Sequence, residues 1–132
     1  MNLVELNGRH NVESAELAER VAESSRTSAT RQFIAEDNDK EVAFVSLDFY
    51  PVHPDRPQAA LYELWVVRDL RNQGYGTRLV ASIEDKVRDE GYDVLIVNPK
   101  PIDGGNEAQL REWYERRGFE ETESNLQLIK YL

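Results

Sequence analysis

The sequence predicts an α/β fold in which helices pack on a mixed sheet, and three observations carry that prediction. Strand-like and helix-like runs alternate through the second half of the chain. The stretch "DVLIVNP" is continuously apolar, as in a strand buried on both faces. The connection into it from "AALYELWVV" passes through an amphipathic helix, so those two strands are parallel and joined by a crossover.

Each element follows from its local pattern. "MNLVELN" reads as a short first strand. In "NVESAELAERVAESS", Ala15, Ala18, Val21 and Ala22 recur at helical spacing with charges between them. "RQFIAED" and "EVAFVSLDFY" are β-rich runs joined by the turn-forming "DNDK", which makes a hairpin. "PVHPDRPQ" has three prolines and is loop, and "AALYELWVV" is a strong strand. After a glycine-containing stretch, Leu79, Val80, Ile83 and Val87 form one face of a helix that stops at Gly91. "NEAQLREWYERRG" opens with Asn106 and Gln109 at capping spacing and closes on Gly118. "FEETESNLQLIKYL" reads as a final hairpin.

Composition narrows the chemistry. The 132 residues suffice for one real core, and 40% of them are hydrophobic. There is no cysteine, which removes disulfides and thiolate metal sites, and His10 and His53 lie too far apart for ligand spacing. No metal is expected. The start has no basic segment followed by a long apolar one, and no apolar run approaches the ~20 residues of a membrane span. A soluble cytoplasmic protein without membrane partners is the expectation. The formal net charge of −9 should repel nucleic acid, so no nucleic-acid partner is expected either.

"LRNQGYGTRL", residues 70–79, is where chemistry enters. A strand ends near Val67 and a helix begins near Gly76 or Thr77. The first turn of that helix offers unpaired N–H groups and the positive end of its dipole. Gly74 and Gly76 lack the Cβ atoms that would hold a ligand off the backbone, and Arg71 and Arg78 add positive charge. The stretch is either a tight turn into a helix or a cradle for a phosphate. It lacks the Gly-Lys-Ser/Thr of a P-loop, and Leu79 stands where a dinucleotide fingerprint needs its third glycine.

Arg71-x-x-Gly74-x-Gly76 resembles the acyl-CoA pyrophosphate loop of the GNAT superfamily of N-acetyltransferases. "YELWVVRDLRNQGYGTRLV" resembles that family's strand, loop and helix in register, and "WYERRGF" resembles its Tyr-x-x-x-Gly-Phe signature. The resemblance runs from "RQFIAED" to the C-terminus. It implies a single domain over 1–132 with a mixed, mostly antiparallel sheet and a central parallel strand pair that splays apart, flanked by helices. It implies acetyl-CoA as acyl donor, its pyrophosphate on the backbone N–H groups of Asn72, Gln73, Gly74, Tyr75, Gly76 and Thr77, with Arg71 starting the binding segment. The pantetheine arm would pair with Leu64, Trp65 and Val66, and the adenine end would lie near the helix that carries the second signature.

Two residues are candidates for catalysis. Tyr114 matches the family tyrosine that protonates the departing thiolate; its other reading is packing beside Trp113. Glu63 is the one charge in "AALYELWVV", flanked by Leu61 and Trp65. It is either a desolvated general base or an outward-facing residue on a half-wet face. Some family members use a Glu in the later strand, where Ile96 stands here, and a frequent Asn before the tyrosine is replaced by Glu107, with Asn106 displaced by one. His53 lies in the loop before "AALYELWVV" and, with Tyr50, Asp55 and Arg56, could line the acceptor pocket, or is simply a surface histidine. The implied function is transfer of acetyl to a primary amine of a small molecule or peptide, by direct attack in a ternary complex. A non-catalytic acyl-CoA-binding module is the alternative. "LQLIKYL" is apolar enough to pair with a second copy in a homodimer.

Overall fold

The computed structural model describes residues 1–8, 11–54, 56–124 and 126–132. Among them the elements run β1 (Asn2–Glu5), α1 (Ala15–Glu23), β2 (Thr30–Asp37), β3 (Lys40–Tyr50), β4 (Gln58–Val66), α2 (Tyr75–Asp89), β5 (Val94–Val97), α3 (Glu107–Glu115), β6 (Glu120–Glu121) and β7 (Leu128–Tyr131), with a short 3-10 turn at Arg68–Leu70. One sheet holds all the strands, ordered β1-β2-β3-β4-β5-β7-β6. Only β4 and β5 are parallel, as the helical crossover between them requires.

The β2–β3 hairpin turns through Asn38 and Asp39, both in the left-handed region at φ 51° and 64°. That is the geometry of a two-residue turn whose twist matches the strands, and Asn and Asp tolerate it. Ser14 caps α1, its hydroxyl accepting from the Leu17 N–H, and Asn106 caps α3, its side-chain oxygen accepting from the Gln109 N–H. Against expectation, β7 lies inside the sheet between β5 and β6. β6 pairs with Leu128 and Ile129, so that half of β7 is not a free edge for pairing with a second copy.

The two faces of the sheet carry separate cores. Leu79, Val80, Ile83 and Val87 of α2 pack with Phe33, Val45, Leu47, Phe49 and Leu61 on one face. Leu17 of α1 packs with Ile34, Phe44 and Trp65 on the other. Arg31 ties the first face together at its end: it pairs with Glu5 of β1 at 2.7 Å and with Glu90 after α2 at 3.0 Å. Hydrogen bonds from Arg31 and then Lys86 hold the Glu90 carboxyl at about 2, against an ordinary 4.5, and Arg31 likewise lowers Glu5. A carboxyl lowered in the folded state stabilises above its unfolded pKa, and the gain is lost as pH falls through the folded one. We therefore expect the urea midpoint to drop between about pH 5 and about pH 2. Arg31→Gln should flatten that drop by about 1 kcal/mol, while an unchanged slope would place the acid sensitivity elsewhere.

Candidate active site between two central strands

The parallel pairing of β4 and β5 covers only Ala59–Leu95, Ala60–Ile96 and Leu61–Val97. β4 continues to Val66, paired on its other side with β3. Past Leu61, then, the β5-facing edge of β4 has no partner strand among the described residues. A bulge sits where the pairing ends: Ser46 of β3 faces Glu63 and Leu47 faces Leu61, so Tyr62 is an extra residue. The bulge changes which side chains share a face. Leu61 joins the α2-side core, whereas Trp65 joins the α1-side core. Glu63 is thus not flanked by both on one face, as regular alternation would have it.

A cavity of about 780 Å³ opens on this gap. Glu63, Leu64, Trp65, Val66, Arg71, Asn72, Gly74, Tyr75, Gly76, Thr77 and Tyr114 all border it. Gln73 does not; its side chain turns back, and Nε2 donates to the Asp69 carbonyl at 3.0 Å. The loop reaches α2 through left-handed residues, Asn72 at φ 62° and Gly74 at φ 85°. Gly74 is the N-cap of α2, and no side chain caps it, unlike α1 and α3. The first-turn N–H groups therefore keep their donor capacity beside the cavity.

Gly76 has a different reason to be glycine. A Cβ there would lie 2.9 Å from Trp113 Cζ2, so the missing side chain lets α3 lie against the first turn of α2. The two arginines of the stretch are also committed. Arg71 donates from Nε to the Val66 carbonyl at 2.9 Å, pairs with Asp103, and lies over the Trp65 ring at 4.5 Å. That pairing holds the Asp103 carboxyl below its usual range and ties Arg71 to the 98–106 loop, which lines the cavity. Arg78 pairs with Asp37 at 3.0 Å.

The cavity cation that sequence reasoning missed is Arg117. Its guanidinium lies 3.6 Å from the Trp113 ring centroid and donates to the Trp113 carbonyl at 2.7 Å and to Thr77 Oγ1 at 2.5 Å. No carboxylate among the described residues pairs with it, and its Nε is buried without a partner. Burial, and then the neighbouring Arg116, lower its pKa. A charge in that state favours an anion. Its place inside the Tyr-x-x-x-Gly-Phe pattern, just before Gly118, was the available signal.

Tyr114 is buried, its ring edge-on to Trp113 at 5.0 Å and to Phe119 at 5.4 Å. Burial pushes its phenol well above the ordinary value, so it carries its proton at neutral pH. Glu63 is 5% exposed and clamped: Arg20 donates from Nε to Oε2 at 2.8 Å and from Nη2 to Oε1 at 2.9 Å. A protonated phenol and a fixed carboxylate beside an open strand edge suit acyl transfer, in which one group gives a proton and another takes one.

Residues 3–119 match the model of the acetyltransferase (GNAT) family. The chain belongs to that family. No curated protein matches the sequence. Among solved structures, this GNAT chain is similar in fold to the AtaT–AtaR complex bound to DNA, with a TM-score of 0.71, 19% identity, and coverage of 99% of this chain and 94% of that one. It is similar to the KacTA–DNA complex at a TM-score of 0.66 and 15% identity, covering 98% and 92%. A GNAT acetyltransferase from Elizabethkingia anophelis with acetyl-CoA bound gives a TM-score of 0.67 at 14% identity, covering 99% and 97%.

The DNA-bound neighbours overturn the expectation that a GNAT chain of this charge has no nucleic-acid partner. Net charge describes one chain, whereas in an assembly another chain can supply the cations that face phosphate.

A second cavity of about 570 Å³ lies on the α1 side of the gap and shares Leu61, Tyr62, Glu63, Asn98 and Lys100–Ile102 with the first. Arg20, Ser24, Asp48 and Tyr50 border it; His53 and Arg56 do not, and Arg56 instead lies over the Tyr131 ring. His10 and Asp55 fall outside the described residues. Among the described residues no helix is long and apolar enough to cross a membrane, and no cluster of His, Asp or Glu could hold a metal ion.

Proposed function

We propose that this GNAT chain transfers the acetyl group of acetyl-CoA to a primary amine by direct attack, with donor and acceptor on opposite sides of the sheet. The observation that carries this reading is the gap past Leu61–Val97, which joins the two cavities. The residues present fit the donor. The uncapped first turn of α2 and Arg117 suit its phosphates, and the unpaired edge of Leu64–Val66 suits its amide-bearing arm.

The chain's own groups then do three things. The loop and strand edge hold the thioester where the acceptor nitrogen can reach it. Glu63 takes the proton of the incoming ammonium; each carboxylate oxygen keeps a lone pair beyond the one Arg20 uses, so the clamp orients the base without consuming it. The nitrogen bonds to the acetyl carbon as the carbon–sulfur bond breaks. Tyr114 gives its proton to the sulfur and recovers one from solvent. The nitrogen gives up its second proton to solvent to become the neutral amide, and Glu63 releases the one it took.

Isothermal titration of acetyl-CoA, with thiol release as the companion assay, tests the reading. Binding at micromolar strength is expected, and Arg117→Gln should weaken it about tenfold, the worth of one charge-assisted contact. A folded protein that binds no acetyl-CoA would sink the proposal. Binding without thiol release for any amine would leave an acyl-CoA-binding module.

One neighbour is the AtaT toxin bound to the C-terminus of the antitoxin AtaR. A chain of net charge −9 would enter such an assembly through a cationic partner protein, with any DNA held by that partner.

A further inference from the structure

On the wall of the cavity on the α1 side sits a carboxylate with no cation in ion-pair contact among the described residues, although Arg20 and Lys100 border the same cavity. Three carboxylates are buried among the described residues: Asp48, Glu63 and Glu84. Glu63 pairs with Arg20 and Glu84 with Lys130. Asp48, 8% exposed, receives only neutral hydroxyls: Thr30 donates to Oδ1 at 2.5 Å and Tyr50 to Oδ2 at 3.4 Å. A carboxylate withdrawn from water with no cation beside it is costly, and a ligand bringing positive charge removes that cost. Ser24, equally buried on the same cavity wall, has a hydroxyl with no hydrogen-bond partner.

Register shows what Asp48 can reach. It faces Ala60, the middle of the three β4–β5 pairs, while the gap opens two residues further on, past Leu61. At ~3.3 Å per residue that offset is about 7 Å. The reacting nitrogen must be neutral at the gap, whereas Asp48 calls for a charge that persists further back.

Resting on the acetyl-transfer reading above, we propose that Asp48 anchors a second, non-reacting cationic group of the acceptor, so that the acceptor class is an aliphatic diamine or polyamine chain. The reacting nitrogen loses its proton and gains the acetyl group at the gap. The anchored ammonium keeps its proton throughout.

The test is isothermal titration of 1,4-diaminobutane and of its mono-N-acetyl derivative into the CoA-saturated protein and into Asp48→Asn. Both compounds should bind the wild type within a few-fold of each other, because the acetylated nitrogen was not the one held. Asp48→Asn should weaken both at least tenfold with CoA affinity unchanged, which also shows that the variant is folded. In the wild type alone, uncharged 1,4-butanediol should not compete. Absent diamine binding, binding that survives Asp48→Asn, competition by the diol, or loss of binding on mono-acetylation each overturns the proposal. Should CoA itself fail to bind, the same titrations without it decide the cation site separately, and only the acetyl-transfer reading falls.

Discussion

Tyr114→Phe should lower kcat for acetyl transfer by about 10²- to 10³-fold while KM for acetyl-CoA stays within about twofold. The substitution removes one oxygen and leaves the ring, so the edge-on contacts with Trp113 and Phe119 persist. A thiolate leaving without a proton donor bears its full charge in a cavity walled by Trp113 and Leu64, which is where a donor matters most. Burial raises the phenol's pKa, so ionisation of Tyr114 should cause no alkaline fall in rate below about pH 10. Thiol-release kinetics across pH measure both. A loss under about threefold would make Tyr114 a packing residue, whose burial alone explains its place.

Arg20→Ala should destabilise the fold by about 3 kcal/mol, a larger effect than an exposed ion pair gives. The Glu63 side chain is 4% exposed and Arg20 15%, so removing the guanidinium strands a carboxylate inside the protein. It also removes the cation lying 5.0 Å from the Trp65 ring. The double variant Arg20→Met, Glu63→Leu should recover most of the loss, since it removes both charges together. Urea denaturation measures this. A single-variant loss under about 1 kcal/mol would mean that water reaches Glu63 freely.

Much of the fold was legible because the signals were local. The cap at Asn106, the Asn38–Asp39 turn and the apolar run of β5 each depend on a few neighbouring residues. The mixed sheet followed from the helical crossover between β4 and β5. The insertion of β7 beside β5 was not legible, since strand order is decided by contacts far apart in sequence. The candidate site divides the same way. A stretch with left-handed geometry announced itself through glycine, but the reason for Gly76 lies on α3, in Trp113. Arg71 read as a free cation because Asp103, its partner, is in another loop. Arg117 and Asp48 escaped notice because what marks them is a missing partner, and a sequence does not display absences.

Tyr62 is about half exposed and borders both cavities. It also contributes backbone slack. Between the pairs Ser46–Glu63 and Leu47–Leu61, β4 spends one more residue than β3 does. Deleting Tyr62 would leave Leu61, Glu63 and Leu64 on the faces they now occupy, because the remaining residues alternate regularly. It would take away the surplus length at the point where β4 parts from β5. Position 62 should therefore resist loss more than substitution as far as the backbone is concerned: the surplus there is a matter of how many residues the chain has.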